Sequence, residues 1–358
     1  MEITRIVITG GPCAGKTTAM SWIQNAFTQM GYTVLFEPET ATELISGGVA
    51  PWTCGTNLEY QKCQMRLQLV KDQLFLQAAR TMKAEKLLIV CDRGAMDNKA
   101  YMSEEEFAQV LADNYTNEVE LRDSYDAVFH LVTAAKGAAE FYSNANNAAR
   151  YEDVDGAVAL DDRLIACWTG HPHLYIIDNS REFDKKMNHL ISEIAAFLGA
   201  PDVKEKERKF LIARPDPAWL ESIPGCKRIE MKETWLRGFS GGESRIRQRG
   251  IGSNLLFFET KTRSTANGGT IETEKRLTRD RYLEMMERAD PDRKPISKTR
   301  YFFTYKAQYI KIDLYPEWPD KAVAEIEVNA DSNYVMFPEE LQVISETDSH
   351  ELLRMLTE

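Results

Sequence analysis

A chain of 358 residues, 43% of them hydrophobic, is long enough for about two domains with ordinary cores. The net charge of −11 falls almost wholly in residues 1–200, where 17 Lys and Arg face 27 Asp and Glu, against 27 and 28 in residues 201–358; so acidic a first half is a poor nucleic-acid surface. No apolar run reaches membrane-spanning length, which leaves at most peripheral membrane contact. The amino terminus enters a strand pattern directly, and six cysteines without a C-x-x-C pair read as free thiols of a reducing cytoplasm.

The β-branched run Ile3–Thr9 meets a glycine-rich turn, and a helical pattern follows over Thr17–Met30. Gly10, Gly15, Lys16 and Thr17 fit the phosphate-binding loop G-x-x-x-x-G-K-[ST]. Glycines let backbone N–H groups curl around a polyphosphate, and the following helix turns its positive end toward the same anion. Gly10, Gly11, Pro12, Cys13, Ala14, Gly15, Lys16, Thr17 and Thr18 are therefore expected to bind ATP or GTP. In that site Lys16 serves the outer phosphates and Thr17 offers a hydroxyl to Mg2+.

Strand patterns at 32–36, Leu87–Gly94, Ala127–Thr133 and His173–Asp178 alternate with helical ones, the longest from about Leu58 to Lys86. This predicts a parallel sheet with helices on both faces, and ligands at the carboxyl ends of its strands. Asp92 ends such a strand and is a candidate Mg2+ ligand, or a helix cap. Arg93 is expected to contact a phosphate or to pair with an acid. Glu37 or Glu39 could accept a proton from a substrate hydroxyl, or simply sit in a solvated turn. Arg150 and Arg163 are candidate lid arginines or surface ion pairs, and Asn179 is a candidate nucleobase contact.

GGPCAGKTT, FEPET, CDRGAMD and IIDN together resemble the small kinase-like phosphate-loop NTPases grouped with the AAA superfamily, including nicotinamide-riboside-kinase-like domains. The resemblance implies that Glu37 acts as a catalytic base, while Asp92 and Arg93 handle metal and phosphate. Lys16, Asp92 and Glu37 are the catalytic set it suggests.

Gly199-Ala200-Pro201 breaks the last helix of this half, which places a domain boundary between residues 1–200 and 201–358. Beyond it, charges recur at period two: Glu205, Glu207 and Lys209; Arg245, Arg247 and Arg249; Glu259, Lys261 and Arg263; Glu272 and Glu274; Lys298 and Arg300; Glu325 and Glu327. One such strand is ordinarily a wet outer face. Six of them suggest a barrel of about eight strands with a charged lumen and apolar residues packed outside under helices.

KEKERKFLI carries the ExExK signature of CYTH domains, the triphosphate-tunnel metalloenzymes, and SRIRQR, FFETKTR, IETEKRL, SKTRYFF, IKIDLY and AEIEV follow in order. The resemblance covers residues 203–358 and implies an α+β antiparallel eight-stranded tunnel barrel. In it Lys209, Arg245, Arg247, Lys261, Lys298 and Arg300 would grip a triphosphate or phosphoinositide-like polyanion. Glu205, Glu207, Glu272, Glu274, Glu325 and Glu327 would hold Mg2+ or Mn2+, which activates water. The strand KRIEMKETWL departs from the family, which often has a glutamine-tyrosine pair there.

An AAA-type phosphate-loop domain followed by a CYTH domain resembles the TRPL translocation defect protein family, associated with guanine-nucleotide and phosphoinositide binding and membrane-protein trafficking. The reading is a nucleoside triphosphatase with a metal-dependent, polyanion-binding or hydrolysing tunnel. Its rivals are a small-molecule kinase with a regulatory tunnel and a nucleotide-switched phosphoinositide adaptor.

Overall fold

A computed structural model describes residues 2–137, 153–180, 182–199, 206–238, 242–264, 270–328 and 335–357. Its contacts divide the chain into Met1–Glu205 and Lys206–Glu358. Among the described residues no helix is long and apolar enough to cross a membrane.

The first unit holds five parallel strands: β1 (Glu2–Gly10), β2 (Thr33–Glu37), β3 (Lys86–Asp92), β4 (Ala127–Leu131) and β5 (Leu174–Ile177). Their order is β2-β3-β1-β4-β5, so the direction of winding reverses beside β1. A crevice opens at the carboxyl ends of the strands at such a point. Ile6, Val7 and Ile8 are fully buried, which fits a central strand covered on both faces. On one face, Ile6, Ile8, Val90 and Phe129 pack against Ile23 and Phe27 of α1 (Lys16–Gln29) and Met187 and Leu190 of a later helix, Phe183–Phe197. A burial of this kind contributes about 1.5–3 kcal/mol per large aliphatic side chain.

The remaining helices of this unit are α2 (Thr40–Ser46), α3 (Asn57–Thr81), a 3-10 helix (Ala95–Tyr101), α4 (Glu104–Asp113), α5 (Glu118–Arg122), α6 (Val154–Trp168) and α7, the Phe183–Phe197 helix. The long helix expected from about Leu58 to Lys86 is α3. It begins where the Thr56 hydroxyl accepts the Glu59 N–H, and it ends at Thr81. The short α2, directly after Pro38, escaped the periodicity.

The second unit is a single antiparallel sheet of nine strands: β6 (Lys206–Ala213), β7 (Lys227–Leu236), β8 (Gly242–Ile251), β9 (Asn254–Ser264), β10 (Thr270–Leu277), β11 (Ile296–Tyr305), β12 (Gln308–Leu314), β13 (Lys321–Val328) and β14 (Val343–Thr347). Their order is β10-β9-β8-β7-β11-β12-β13-β6-β14. This corrects the expected eight-stranded closed barrel. β14, too short and exposed to show an alternating pattern, adds a ninth strand outside β6, and among the described residues β10 and β14 do not pair.

Among the described residues this unit has helices α8 (Pro217–Ser222), α9 (Arg279–Met286) and α10 (Ser349–Thr357). Phe210, Ile212, Phe303, Ile312 and Ile326 form an apolar face with Leu220 of α8. Leu236 and Ile246 pack against Tyr282 and Met285 of α9.

Candidate functional site

The turn between β1 and α1 has the backbone of a phosphate cradle. Gly10 has φ 146° and Gly15 φ 93°, and Cys13 also lies at positive φ. A side chain at Gly10 would meet the Leu131 carbonyl, and one at Gly15 the Phe183 ring, so glycine is required at both for space as well as conformation. Gly11, Pro12 and Ala14 are buried, while Thr17 and Thr18 open the helix exposed. The Lys16 ammonium turns back to the Gly10 carbonyl at 3.3 Å. Burial, with the neighbouring Arg93 guanidinium, pulls that ammonium down to about 8.

The crevice brings further charge to Lys16. Asp92 ends β3, burial raises its carboxyl, and among the described residues Oδ1 is buried with no hydrogen-bond partner. Arg93 follows in a left-handed conformation, φ 70°, and its Nε donates to Glu39 Oε1 at 2.6 Å, leaving Nη1 buried and unpartnered. Against burial, which pushes the other way, Arg93 and Lys16 hold the Glu39 carboxyl down to about 2. The acid brought to Lys16 is thus Glu39. The residues themselves left Glu37 and Glu39 open, and the resemblance implied Glu37.

Glu37 is the last residue of β2 and is 1% exposed. It accepts from Gln68 Nε2 at 2.7 Å, and the Cys91 thiol lies 3.6 Å from it. Gln68 also donates to Asp72, whose other oxygen accepts from the Tyr125 hydroxyl. Burial and Asp72 push the Glu37 carboxyl up to about 8. A carboxyl 1% exposed and sealed in this network is poorly placed to touch a substrate. Glu37, Asp72 and Cys91 do cluster as metal-ligand types, but Gln68, Tyr125 and the nearby Arg5 already occupy that site with donors.

Two other expectations change. Asn179 donates to the Thr133 and Lys136 carbonyls at 2.6 and 2.7 Å and accepts from Lys186, so its amide braces the loops instead of facing a base. Arg163 is exposed, and its Nε donates to the Ala100 carbonyl. Arg150 and Glu205 lie outside the described residues, as do the side chains of Glu272 and Glu327.

The residues that hold the cradle were missed in the sequence. Asp161 on α6 is fully buried. Its Oδ1 accepts the Gly11 and Thr133 N–H groups at 3.0 and 3.1 Å and meets His130 Nε2 at 3.0 Å, while Oδ2 accepts from Lys136. Against burial, the His130 ring and Lys136 hold its carboxyl well below the usual range. Lys186 on α7 donates to the Ala14 and Val132 carbonyls and to Asn179. Burial pulls its ammonium down to about 8. Asp97 of the 3-10 helix accepts from Thr9, Gly94 and the Trp168 indole. A buried acid on a helix carries no local signal in the sequence. Only the packing shows its partners.

In the second unit, strand pairing sorts the charges by face, since residues directly opposite one another share a face. Lys209 pairs with Glu325, Glu325 with Lys311, Arg300 with Asp313, and Glu233 with Arg247. Their side chains bond accordingly. Lys209 reaches Glu325 and Glu207 at 2.9 and 2.8 Å. Arg300 forks onto Asp313 at 2.6 Å and onto Glu325, and Lys298 meets Asp313 at 2.7 Å. Arg247 joins Glu233 to Glu274, with Arg245 beside Glu233. Against burial, Arg247, Lys298 and Arg245 hold the Glu233 carboxyl down to about 2.

Lys261 does not belong to this set. It pairs with Ser244, whereas Arg245 pairs with Thr260, so Lys261 lies on the opposite face, beside Glu259. Glu233 and Lys311 are members that sequence reasoning missed; both stand at the strand's period-two positions.

A family model described as an AAA domain matches residues 5–186. No curated protein sequence matches the chain. Among solved structures, a conserved hypothetical protein from Pyrococcus furiosus is similar at 12% identity and a TM-score of 0.26, over 35% of this chain and 81% of that one.

Proposed function

The chain belongs to the AAA domain family, whose model spans slightly more than half of it, and from that premise we propose that its first unit binds the magnesium complex of ATP or GTP and turns it over. The observation that carries this reading is Lys16 at the glycine cradle beside the unpartnered Asp92 oxygen. An orphaned, partly buried carboxylate at the end of β3 and an exposed Thr17 hydroxyl are hard oxygen donors of the kind Mg2+ takes. When bound, the ion would neutralise charge on the transferring phosphoryl group. The chain's own part is separate from that. Backbone N–H groups of the cradle and the α1 amino terminus fix the polyphosphate, Lys16 adds a cation, and Arg93 Nη1 offers a further donor.

Transfer to a small molecule is the second reading, favoured by the Glu39–Arg93 pair beside Lys16. A turnover assay separates the two. Phosphate release without acceptor supports a triphosphatase, and turnover only with an acceptor supports a kinase. No detectable binding of either nucleotide by the wild type would overturn both.

For the second unit we infer metal-dependent capture of a polyanion on its charged face, in keeping with its resemblance to triphosphate-tunnel enzymes. Glu207, Glu325 and Asp313 are the oxygen donors available to Mg2+ or Mn2+. A cation taking those carboxylates would release Lys209, Lys298 and Arg300 toward phosphate oxygens. Calorimetry with tripolyphosphate tests this. Binding should need the metal and should weaken in Arg300→Met, and metal-independent binding of equal strength would overturn it.

A further inference from the structure

The turn that follows Asp92 is held amide by amide. The Arg93 N–H donates to the Ile8 carbonyl at 3.1 Å, the Gly94 N–H to Asp97 Oδ2 at 2.8 Å, and the Ala95 N–H to the Tyr125 hydroxyl at 2.9 Å. Arg93 itself has φ 70°, a left-handed conformation that residues other than glycine seldom adopt and that persists only where the surroundings impose it. Gly94 lies flat against the Trp168 ring, which a Cβ at that position would meet at 2.7 Å.

Asp97 is where these constraints meet. It is 2% exposed, and its Oδ1 accepts the Thr9 hydroxyl at 2.6 Å and the Trp168 indole N–H at 3.1 Å. Thr9 immediately precedes Gly10 of the cradle, and Gly94 immediately follows Arg93. Trp168 lies on α6, about two turns beyond Asp161, which holds Gly11. One carboxylate thus fixes the Arg93 turn both to the start of the cradle and to the helix that steadies it. Asp97 and Trp168 are too deeply buried to touch a nucleotide, so they act only through the groups they hold.

Of those groups, Arg93 depends on them most. Asp92 is set by the sheet, where it pairs with Ile8, and the cradle is tied separately by Asp161 and Lys186. Arg93 has left the ladder. Its guanidinium neighbours Lys16 and is tethered at Nε to Glu39, with Nη1 buried and unpartnered among the described residues. A backbone that relaxed out of the left-handed region would turn the Cα–Cβ bond and carry that guanidinium away from Lys16.

We propose that Asp97 and Trp168 are positioning residues for phosphoryl transfer: by locking the Arg93 backbone they keep its guanidinium at the cradle, where it meets the charge that develops on the transferring phosphoryl group; this rests on the nucleotide reading above. A donor fixed in advance for that charge acts more in the transition state than in the ground state. Its loss is therefore read in kcat and much less in nucleotide affinity.

The test follows turnover of Mg–ATP and Mg–GTP by the full chain, with and without acceptor as in the assay above, alongside nucleotide affinity by calorimetry and the melting temperature. Asp97→Asn keeps the shape of the side chain but has one acceptor oxygen fewer for the Thr9, Gly94 and Trp168 donors, and Trp168→Phe removes the indole N–H while leaving a ring on Gly94. kcat should fall about 30-fold in Asp97→Asn and about threefold in Trp168→Phe, with nucleotide affinity changed by about twofold at most. In an Arg93→Ala background, itself slowed about 100-fold, both losses should vanish, because the side chain through which they act is gone. If Asp97→Asn does not fold, Trp168→Phe carries the same comparison. Losses of equal size in both backgrounds, or variants that turn over at the wild-type rate, overturn the proposal and leave the nucleotide reading standing. A wild type that binds no nucleotide, or turns none over in either assay, overturns that reading and the proposal together.

Discussion

The two charged regions of this molecule are built on opposite plans. The cradle at Gly10–Thr17 offers an anion mostly backbone, with one cation, Lys16, bonded to nothing stronger than a carbonyl. The face of the second unit offers side chains, and its cations already lie on carboxylates: Lys209 on Glu207 and Glu325, and Arg300 on Asp313 and Glu325. A backbone site is unaffected by substitution of most of its side chains, whereas a site of ion pairs is also part of what holds the sheet together.

The largest expected effect tests that second half of the contrast. Asp313 is fully buried between Lys298 and Arg300, so Asp313→Asn takes the carboxylate from Lys298 and leaves Arg300 only Glu325, and should cost on the order of 3 kcal/mol in chemical denaturation. A loss below about 1 kcal/mol would show that the pairs are dispensable to the fold. Lys16→Ala is the counterpart. Nucleotide affinity should fall about 100-fold, near 3 kcal/mol, with the melting temperature and tripolyphosphate binding unchanged. If both ligands were lost by a folded variant, the two regions would not be separate sites.

A pH effect comes next. Polyphosphate favours the charged form of Lys16, whose ammonium burial and Arg93 pull down to about 8 in the free protein. Binding therefore takes up a proton above that pH, and affinity should fall by up to about tenfold per unit as pH rises past 8. Titration calorimetry in two buffers checks the proton count.

The smallest effect concerns Glu37. Burial and Asp72 push its carboxyl up to about 8 in the fold, above the ordinary value it has when unfolded, so the folded state holds an extra proton in between. Stability should therefore decline as pH rises through that window, by a few kcal/mol at most, and Glu37→Gln should flatten the slope. An unchanged slope would show that Glu37 is ionised in the fold.

What was legible followed from distance along the chain. The cradle is local, so Gly10, Gly15, Lys16 and Thr17 announced it. The strands of the parallel sheet were readable as continuous apolar runs such as Leu87–Cys91. Glu37 and Glu39 lie two residues apart, and their fates depend on where β2 stops. Glu37 still belongs to the strand and enters the core, whereas Glu39 lies beyond it and turns toward Arg93. Period two put Arg247 and Lys261 each on one face of its strand, and the resemblance put both in one lumen, whereas the two lie on opposite faces. Which face each took was set by the Gly252-Ser253 turn, whose register puts Lys261 opposite Ser244. Asp161 and Lys186 reach the cradle from helices about 150 and 172 residues away in the chain, a meeting that no window of sequence contains.

Those two side chains have a kinetic consequence. A loop tied at Gly11 by Asp161 and at Ala14 by Lys186 has surrendered its freedom before any anion arrives. Little ordering entropy remains to be lost on association, so complex formation should proceed in one phase, at a rate proportional to ligand concentration with no plateau from a prior loop rearrangement.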